Sequence, residues 1–381
     1  MKIADLIDAM ERIAPSRLAE DWDNVGLLIG DPSDELSGPV LLTIDLTEAV
    51  LDEAERMGCR AIIAYHPPIF HPLKRLVGGP SSPLSQRVNH RAARAGLAVY
   101  SPHTALDACA GGVTDWLAEG CFDPGQGRSG DIRALRPAMS TSGQDFKIVT
   151  FVPNEALDTV RSALASAGAG IIGDYELCSF NSPGNGTFRG RAGTNPAVGQ
   201  SEVFEQHLEQ RLEMVCSKRS LALALMTLRE FHPYEEPAID VYPLAARPER
   251  GFGTGRRVLL DRACSLAELG QRVKRHLGIA AVQIGGDPAA MVERIGVVPG
   301  AGGSIANDAA ADGCQVFITG EMKHHEVNAL LSQGVGVVLG GHTASERGYL
   351  PRLASRLNGD LGGHVRVEVS TADRDPLALI S

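Results

Sequence analysis

Histidine and carboxylate recur in this chain at one spacing. "SPHTALDA" (101–108) sets His103 four residues before Asp107, and "GGHTASER" (340–347) sets His342 four residues before Glu346. Both phrases close a short apolar run. A third run ends at "AYHPPIFHPLKRL" (64–76), carrying His66 and His71, and a fourth at "ITGEMKHHE" (318–326), carrying Glu321, His324 and His325. Imidazole mixed with carboxylate suits Zn, Fe, Mn, Co or Ni better than Mg or Ca. Carboxylates from two segments can bridge a pair of cations about 3.5–4 Å apart, a common hydrolytic arrangement. A single H-x-x-x-E says little. Two copies at matching points, with His66 at a third strand end, favour a metal site.

Each residue also has a plainer reading. His103 or His342 alone is a strand-end histidine that caps the next helix or bonds a carbonyl. "KHH" at a helix start is equally well a solvated turn, and His71 stands level between the two readings. Asp23 and Asp45 cap helices or bond strand-end amides, and Tyr65 packs rather than ligates. "PGAGGS" (299–304) is a tight strand-to-helix turn more readily than an anion nest, and the chain has no G-x-x-x-x-G-K-[ST]. "PGNGTFRG" (183–190) reads as a hairpin turn. "HPYEEPAID" (232–240), with His232, Glu235 and Glu236, reads as structural. No local Ser-His-Asp or Cys-His signature supports covalent catalysis.

The elements that would position these residues alternate. "PVLLTIDL" is a strand, "TEAVLDEAERMGC" a helix, "CRAIIAY" a strand, residues 84–95 a helix and "GLAVYS" a strand ending at His103. That order favours a parallel α/β sheet. The last third repeats it: "RIGVVPGAGGS", "IANDAAADGC", "CQVFITG", "EVNALLSQG" and "VGVVLGG" end at His342. Aligning Gly58-Cys59 with Gly313-Cys314 sets His66 opposite Glu321. Open α/β sheets place their sites at the carboxyl ends of strands, so two related halves could converge on one centre. Between them, residues 122–145 are rich in Gly, Ser and Pro and read as a linker. "FKIVTFVP", a helix near 154–167, a second helix near 201–213 and "AIDVYPL" then suggest a ferredoxin-like α+β unit. The expected fold is therefore α/β, with a first lobe at 1–128, an inserted ferredoxin-like domain at 129–250 and a second lobe at 251–381.

With 381 residues the chain suits two or three domains. A net charge of −10 argues against a phosphate-tracking surface, so nucleic acid is not the expected partner. "MKIADLIDAMERIAP" places Asp5, Asp8 and Glu11 where a signal peptide needs an apolar core, and reads as an amphipathic helix stopped by Pro15. No run of 18 apolar residues spans a membrane. Seven scattered Cys without C-x-x-C read as reduced thiols, and the expected location is cytoplasmic.

"DWDNVGLLIG" (21–30), "AYHPPIFHPLKRL", "SPHTALDA", "ITGEMKHHE" and "GGHTASE" together resemble the GTP cyclohydrolase I type 2 homologues, also called dinuclear-metal-centre or NGG-interacting-factor-like proteins. The middle segment resembles the insert of the longer bacterial members through "GAGIIGDYELCSF", "GNGTFRG" and "HPYEEPAIDVYPL". The resemblance implies a two-lobed core with a bimetal centre, a PII/CutA-like insert and a toroidal homohexamer. It implies His66, Asp107, His342 and Glu346 as ligands of two divalent ions (Zn, Fe or Mn), with Glu346 as the bridge. Many members carry two adjacent histidines where this chain has Tyr65-His66. Either His103, a water or Tyr65 compensates, or the site holds one metal. The implied activity is metal-dependent hydrolysis of a small molecule, with GTP ring opening as the family's label. His103 or His325 is the expected general base or supporting residue, and Lys323 or Lys74 the expected phosphate contact. The alternatives are a nucleotide phosphoesterase and a non-enzymatic hexameric metal-binding or regulatory protein.

Overall fold

The computed structural model describes residues 1–123, 125 and 130–378. It divides into two compact units, Met1–Ala138 with Glu249–Ser381, and Met139–Pro248. Among the described residues no helix is long and apolar enough to cross a membrane.

The first unit contains two sheets built on one plan. In one, strands Val40–Thr43, Ala61–Ala64 and Ala98–Ser101 run parallel, and Gly26–Ile29 closes the far edge antiparallel to the third. In the other, Met291–Val297, Val316–Thr319 and Gly336–Leu339 run parallel, and Gln283–Gly285 closes the edge in the same way. Central strands of both sheets are apolar and buried end to end, as a parallel sheet covered on both faces requires. One core joins the halves, running from Leu42, Ile63 and Tyr100 through Trp116 and Leu117 to Ile295 and Ile318.

Two segments cross the expected boundaries. The supposed linker 122–145 contains a strand, Gly130–Ser140, at the edge of the second sheet; residues 124 and 126–129 lie outside the described residues. "DIRALRPAMS" is less polar than its flanks, and its strand partner Arg247–Ser265 supplies the pairing that local composition could not show. Conversely, Val367–Val369, in the second lobe by sequence, pairs with Val40–Leu42 of the first sheet. Glu53 holds the segment that follows. Its carboxylate accepts from the hydroxyls of Ser370 and Thr371 and from the amides of Thr371 (3.0 Å) and Ala372 (3.1 Å). Burial alone would raise its pKa, but these bonds lower it to about 2.

Arg256 ties the halves near the candidate ligands. It is 1% exposed. Its Nε donates to Asp115 Oδ1 at 2.6 Å, and Nη2 donates to the carbonyl of Cys109 at 3.0 Å, just beyond the helix His103–Ala108. Removing a buried charge's partner, or the charge itself, strands the other. Arg256→Met is expected to cost about 3–5 kcal/mol of stability, read as a lower midpoint in urea.

The second unit is a four-stranded antiparallel sheet with two helices. Strands Phe146–Val152, Phe180–Arg189, Phe204–Cys216 and Ile239–Pro243 lie with the first and third central. Helices Leu157–Ser166 and Leu221–Phe231 follow the first and third strands, which gives a βαββαβ chain order. The expected helix near 201–213 is instead strand Phe204–Cys216. Its Glu, Gln, Leu and Arg favour helix, but pairing on both sides overrides propensity, and Leu212, Met214 and Cys216 alternate into the core. All but the last residue of the expected hairpin at 183–190 lies in an edge strand, Phe180–Arg189, where Pro183 is tolerated. His232 is structural, as expected. It is buried, with Nε2 bonded to the Phe151 carbonyl (3.1 Å) and Nδ1 accepting the Tyr234 amide (3.1 Å).

Candidate metal centre

Four strand ends of the first unit supply the site. His66 follows Ala61–Ala64, His103 follows Ala98–Ser101, Glu321 follows Val316–Thr319, and His342 follows Gly336–Leu339. Ligand atoms of His66, His342 and Glu346 lie within 4.8 Å of one another. Glu346 sits on the short helix Ala344–Arg347 and is only 3% exposed. Its Oε2 is 3.4 Å from His66 Nε2, and its Oε1 is 3.5 Å from His342 Nε2. Yet Oε2 is buried and accepts no hydrogen bond among the described residues. Two donors each about 2.1 Å from a tetrahedral ion stand about 3.4 Å apart. The spacing is thus too long for a good hydrogen bond and right for a shared cation.

The far side of each imidazole is fixed. His66 Nδ1 meets Asp45 Oδ1 at 2.9 Å, and His342 Nδ1 meets Glu321 Oε1 at 2.9 Å. A carboxylate on Nδ1 sets the tautomer that leaves Nε2 as the ligand atom and raises its basicity. Burial pushes the His66 pKa down, but Asp45 and Glu346 more than reverse this and carry it up to about 10. The hydrogen bond from His66 in turn holds the Asp45 carboxyl below its ordinary range.

His103 stands beside this group, its ring 5.5 Å from that of His66. Its backbone φ is +22°, a strained value for a residue with a Cβ. Asp23, its carboxylate fully enclosed, bonds His103 Nδ1 at 2.8 Å and takes both the amide and the hydroxyl of Thr104. Asp23 therefore holds the turn in its strained form. Exposed Trp22 and Phe70 pair at 5.9 Å on the rim, with Trp22 6.1 Å from the His103 ring.

Comparisons agree with this architecture. The family model described as Duf34/NIF3 (NGG1p interacting factor 3) matches residues 1–376. This chain belongs to that family. The proteins named GTP cyclohydrolase 1 type 2 homolog in Halalkalibacterium halodurans and Mycobacterium tuberculosis are 33% and 34% identical to it. The first match covers 100% of both chains, the second 99% of this chain and 96% of the other. A crystal structure of a Staphylococcus aureus protein superposes with a TM-score of 0.80 at 27% identity, covering 100% of this chain and 99% of that one. A Bacillus cereus protein related to NIF3 gives 0.72 at 29% identity, with the same coverage.

In this Duf34/NIF3 chain the fourth expected ligand, Asp107, stands apart from the group of three. Its Oδ1 accepts from the Tyr65 hydroxyl at 2.6 Å. Burial is the main influence on its carboxyl; His103 and Tyr65 pull the pKa down, Glu346 pushes it up, and it settles at about 7. Tyr65, 2% exposed, packs against His66 and His103 and holds Asp107. His324 bonds Asn328, and His325 lies exposed on the first turn of helix His324–Ser332, with no contact to His66, His342 or Glu346 among the described residues. Exposed His71 meets the Phe70 ring. Lys74 and Lys323 are exposed.

Two of the "PGAGGS" amides are engaged: Gly300 N donates to Ser345 Oγ at 2.8 Å and Gly302 N to Thr319 Oγ1 at 3.0 Å, as in a tight turn. Gly300 matters differently. At φ +61°, a Cβ there would stand 2.5 Å from Glu346 Oε1 and 3.3 Å from His342 Nε2. Gly300→Ala is expected to displace the Glu346 carboxylate and weaken Zn binding about 10–100-fold, the range for disturbing a ligand's surroundings. Competition against a chromophoric chelator measures this. Composition alone did not reveal that role, because a strand-end glycine usually marks only a turn.

Proposed function

We propose that this chain is a metal-dependent hydrolase, with His66, Asp107, His342 and Glu346 as ligands of two divalent cations and Glu346 shared between them. One observation carries the reading: a buried carboxylate lies between two imidazole Nε2 atoms at cation-sized separations, with one oxygen accepting no hydrogen bond among the described residues. Divalent cations at such a site supply Lewis acidity and activate water at neutral pH. The chain's own residues do the rest. Asp45 and Glu321 orient the imidazoles, and Tyr65 orients Asp107. His103, its Nδ1 engaged by Asp23, presents Nε2 to take up or return a proton beside the ligands. His325, exposed and without contact to the three, is left without a role.

The relatives' printed name supports ring-opening hydrolysis of GTP as the first reaction to try; phosphodiester hydrolysis needs the same parts. The chain, purified without chelators and loaded with Fe, Mn or Zn, is expected to consume GTP or a generic phosphodiester. His342→Ala should retain the fold and lose at least about 100-fold in kcat/KM, as removal of a catalytic metal ligand implies. Equal activity in the variant would identify a contaminant. Metal binding without turnover of either substrate class would favour a metal-binding assembly protein.

A further inference from the structure

The second unit contains a cavity of about 590 Å³. It lies over the polar side of its sheet, within the range of small-molecule sites. We propose that it binds a small organic cation, a primary amine carrying an apolar or aromatic body.

The strand Phe204–Cys216 shows why this side of the sheet differs. Leu212, Met214 and Cys216 point into the core beneath the helices. The alternate residues Glu209 and Arg211 line the cavity. Phe151, Phe188 and Val198 supply apolar wall. The floor is thus charged and the walls are apolar, which suits a ligand with one charged end.

The sign of the charge follows from which groups are already engaged. Arg211 donates through Nε to Glu213 at 2.8 Å, and its guanidinium lies 5.8 Å from the centre of the Phe151 ring. Lys147 also pairs with Glu213, at 2.8 Å. Glu235 accepts the Asn195 amide at 3.0 Å through one oxygen. Glu209 accepts the Tyr234 hydroxyl at 2.5 Å through Oε1, and no described residue donates to its Oε2. Glu209, Glu235 and Glu236 therefore leave the lining negative. An anion would meet three carboxylates against one arginine, whose Nε is held by Glu213. An ammonium would meet Glu209 Oε2 beside the Tyr234 side chain that lines the cavity.

The two glycines of "SPGNG" fit this use. A Cβ on Gly186 would stand 2.0 Å from Glu209 Oε2, so its absence is what lets the carboxylate lie against the strand. A Cβ on Gly184 would meet nothing within 4 Å. Gly184 therefore borders open volume, and the edge strand can accept a larger side chain there without a clash.

The test uses the full-length chain and three amines of increasing body, phenethylamine, tryptamine and octylamine, with 3-phenylpropionate as the anionic control. Ligand-observed NMR and calorimetry should show at least one amine binding and no binding of the propionate. Glu209→Gln, which keeps an acceptor for Tyr234, should weaken that amine at least 10-fold. Gly184→Leu, which fills the volume, should abolish binding while metal content and melting temperature stay at wild-type values. Binding of 3-phenylpropionate as tight as that of the amines, unchanged amine affinity in both variants, or no amine binding to the wild type would each overturn the proposal.

Discussion

Glu346→Gln will deprive the protein of its cations while leaving it folded. In protein purified without chelator or affinity tag, elemental analysis should give about two divalent ions per chain for the wild type, as a shared carboxylate implies. The variant should give close to none. The substitution conserves shape, and Glu346 Oε2 accepts no hydrogen bond among the described residues, so no bond of that oxygen seen there is lost with its charge. What is lost is the anionic donor between His66 and His342. Disturbing a residue behind a ligand costs about 10–100-fold in affinity, and removing the ligand itself should exceed that. Asp107→Ala separates the two positions. Because Asp107 stands outside the group of three, this variant should keep about one ion, a position still holding three protein donors. A wild type with one ion, indifferent to Asp107→Ala, would show that Tyr65 has left a second position empty. No metal in the wild type even after reconstitution would sink the hydrolase reading.

The second large effect is on pH dependence. In the metal-free protein His66 holds its proton up to about pH 10, against burial and because of Asp45 and Glu346. A metal must displace that proton. Affinity should therefore rise about tenfold per pH unit between roughly 7 and 10. Near the Asp107 pKa of about 7 a second proton competes, and below it the slope should approach about two decades per unit. Folding shows the opposite trend. A raised histidine pKa stabilises the metal-free fold fully below about pH 6.5, the ordinary value, and the benefit fades as pH climbs through about 10. In EDTA, then, the melting temperature should fall from pH 7 to pH 10, while the Zn-loaded increment grows. Calorimetry of Zn uptake at pH 8 in buffers of different ionisation enthalpy counts the released protons directly. A heat independent of buffer would show that His66 was already neutral. Asp45→Asn should reduce both the proton count and the pH slope.

The site was legible in sequence where chemistry and position coincide. His66, His342 and Glu346 were each marked by residue type at a strand end, and a parallel sheet directs strand ends to one side. Their supports were harder to see. Asp23 and Asp45 looked like amide acceptors, and Asp23 does hold the Thr104 amide, but its ring partner His103 lies 80 residues away. Nothing local encodes such a contact. Trp22 and Phe70 gave no signal, since an exposed aromatic has no period. The repeat was legible because both halves keep the same order of short apolar runs and glycine turns. The strand at 204–216 was misread because its residues favour helix in isolation, and only the neighbouring strands decide otherwise.

The strand Val367–Val369 gives the fold a direction in time. It completes the first sheet beside Val40–Leu42, and Asp373 accepts the Ile44 amide across 329 residues of chain. A ribosome releases residues 40–44 long before it makes their partners, so while the stretch between Ile44 and Asp373 is made the first sheet carries an open edge, the kind of template on which chains misassociate. Asp373 also pairs with Arg347, next to Glu346, and Thr343 donates to Asp375. The segment just after the strand that closes the sheet thus also fastens the helix bearing Glu346. On the proposed reading, a nascent chain with His66 already in place would keep no cation until Val367–Val369 had docked.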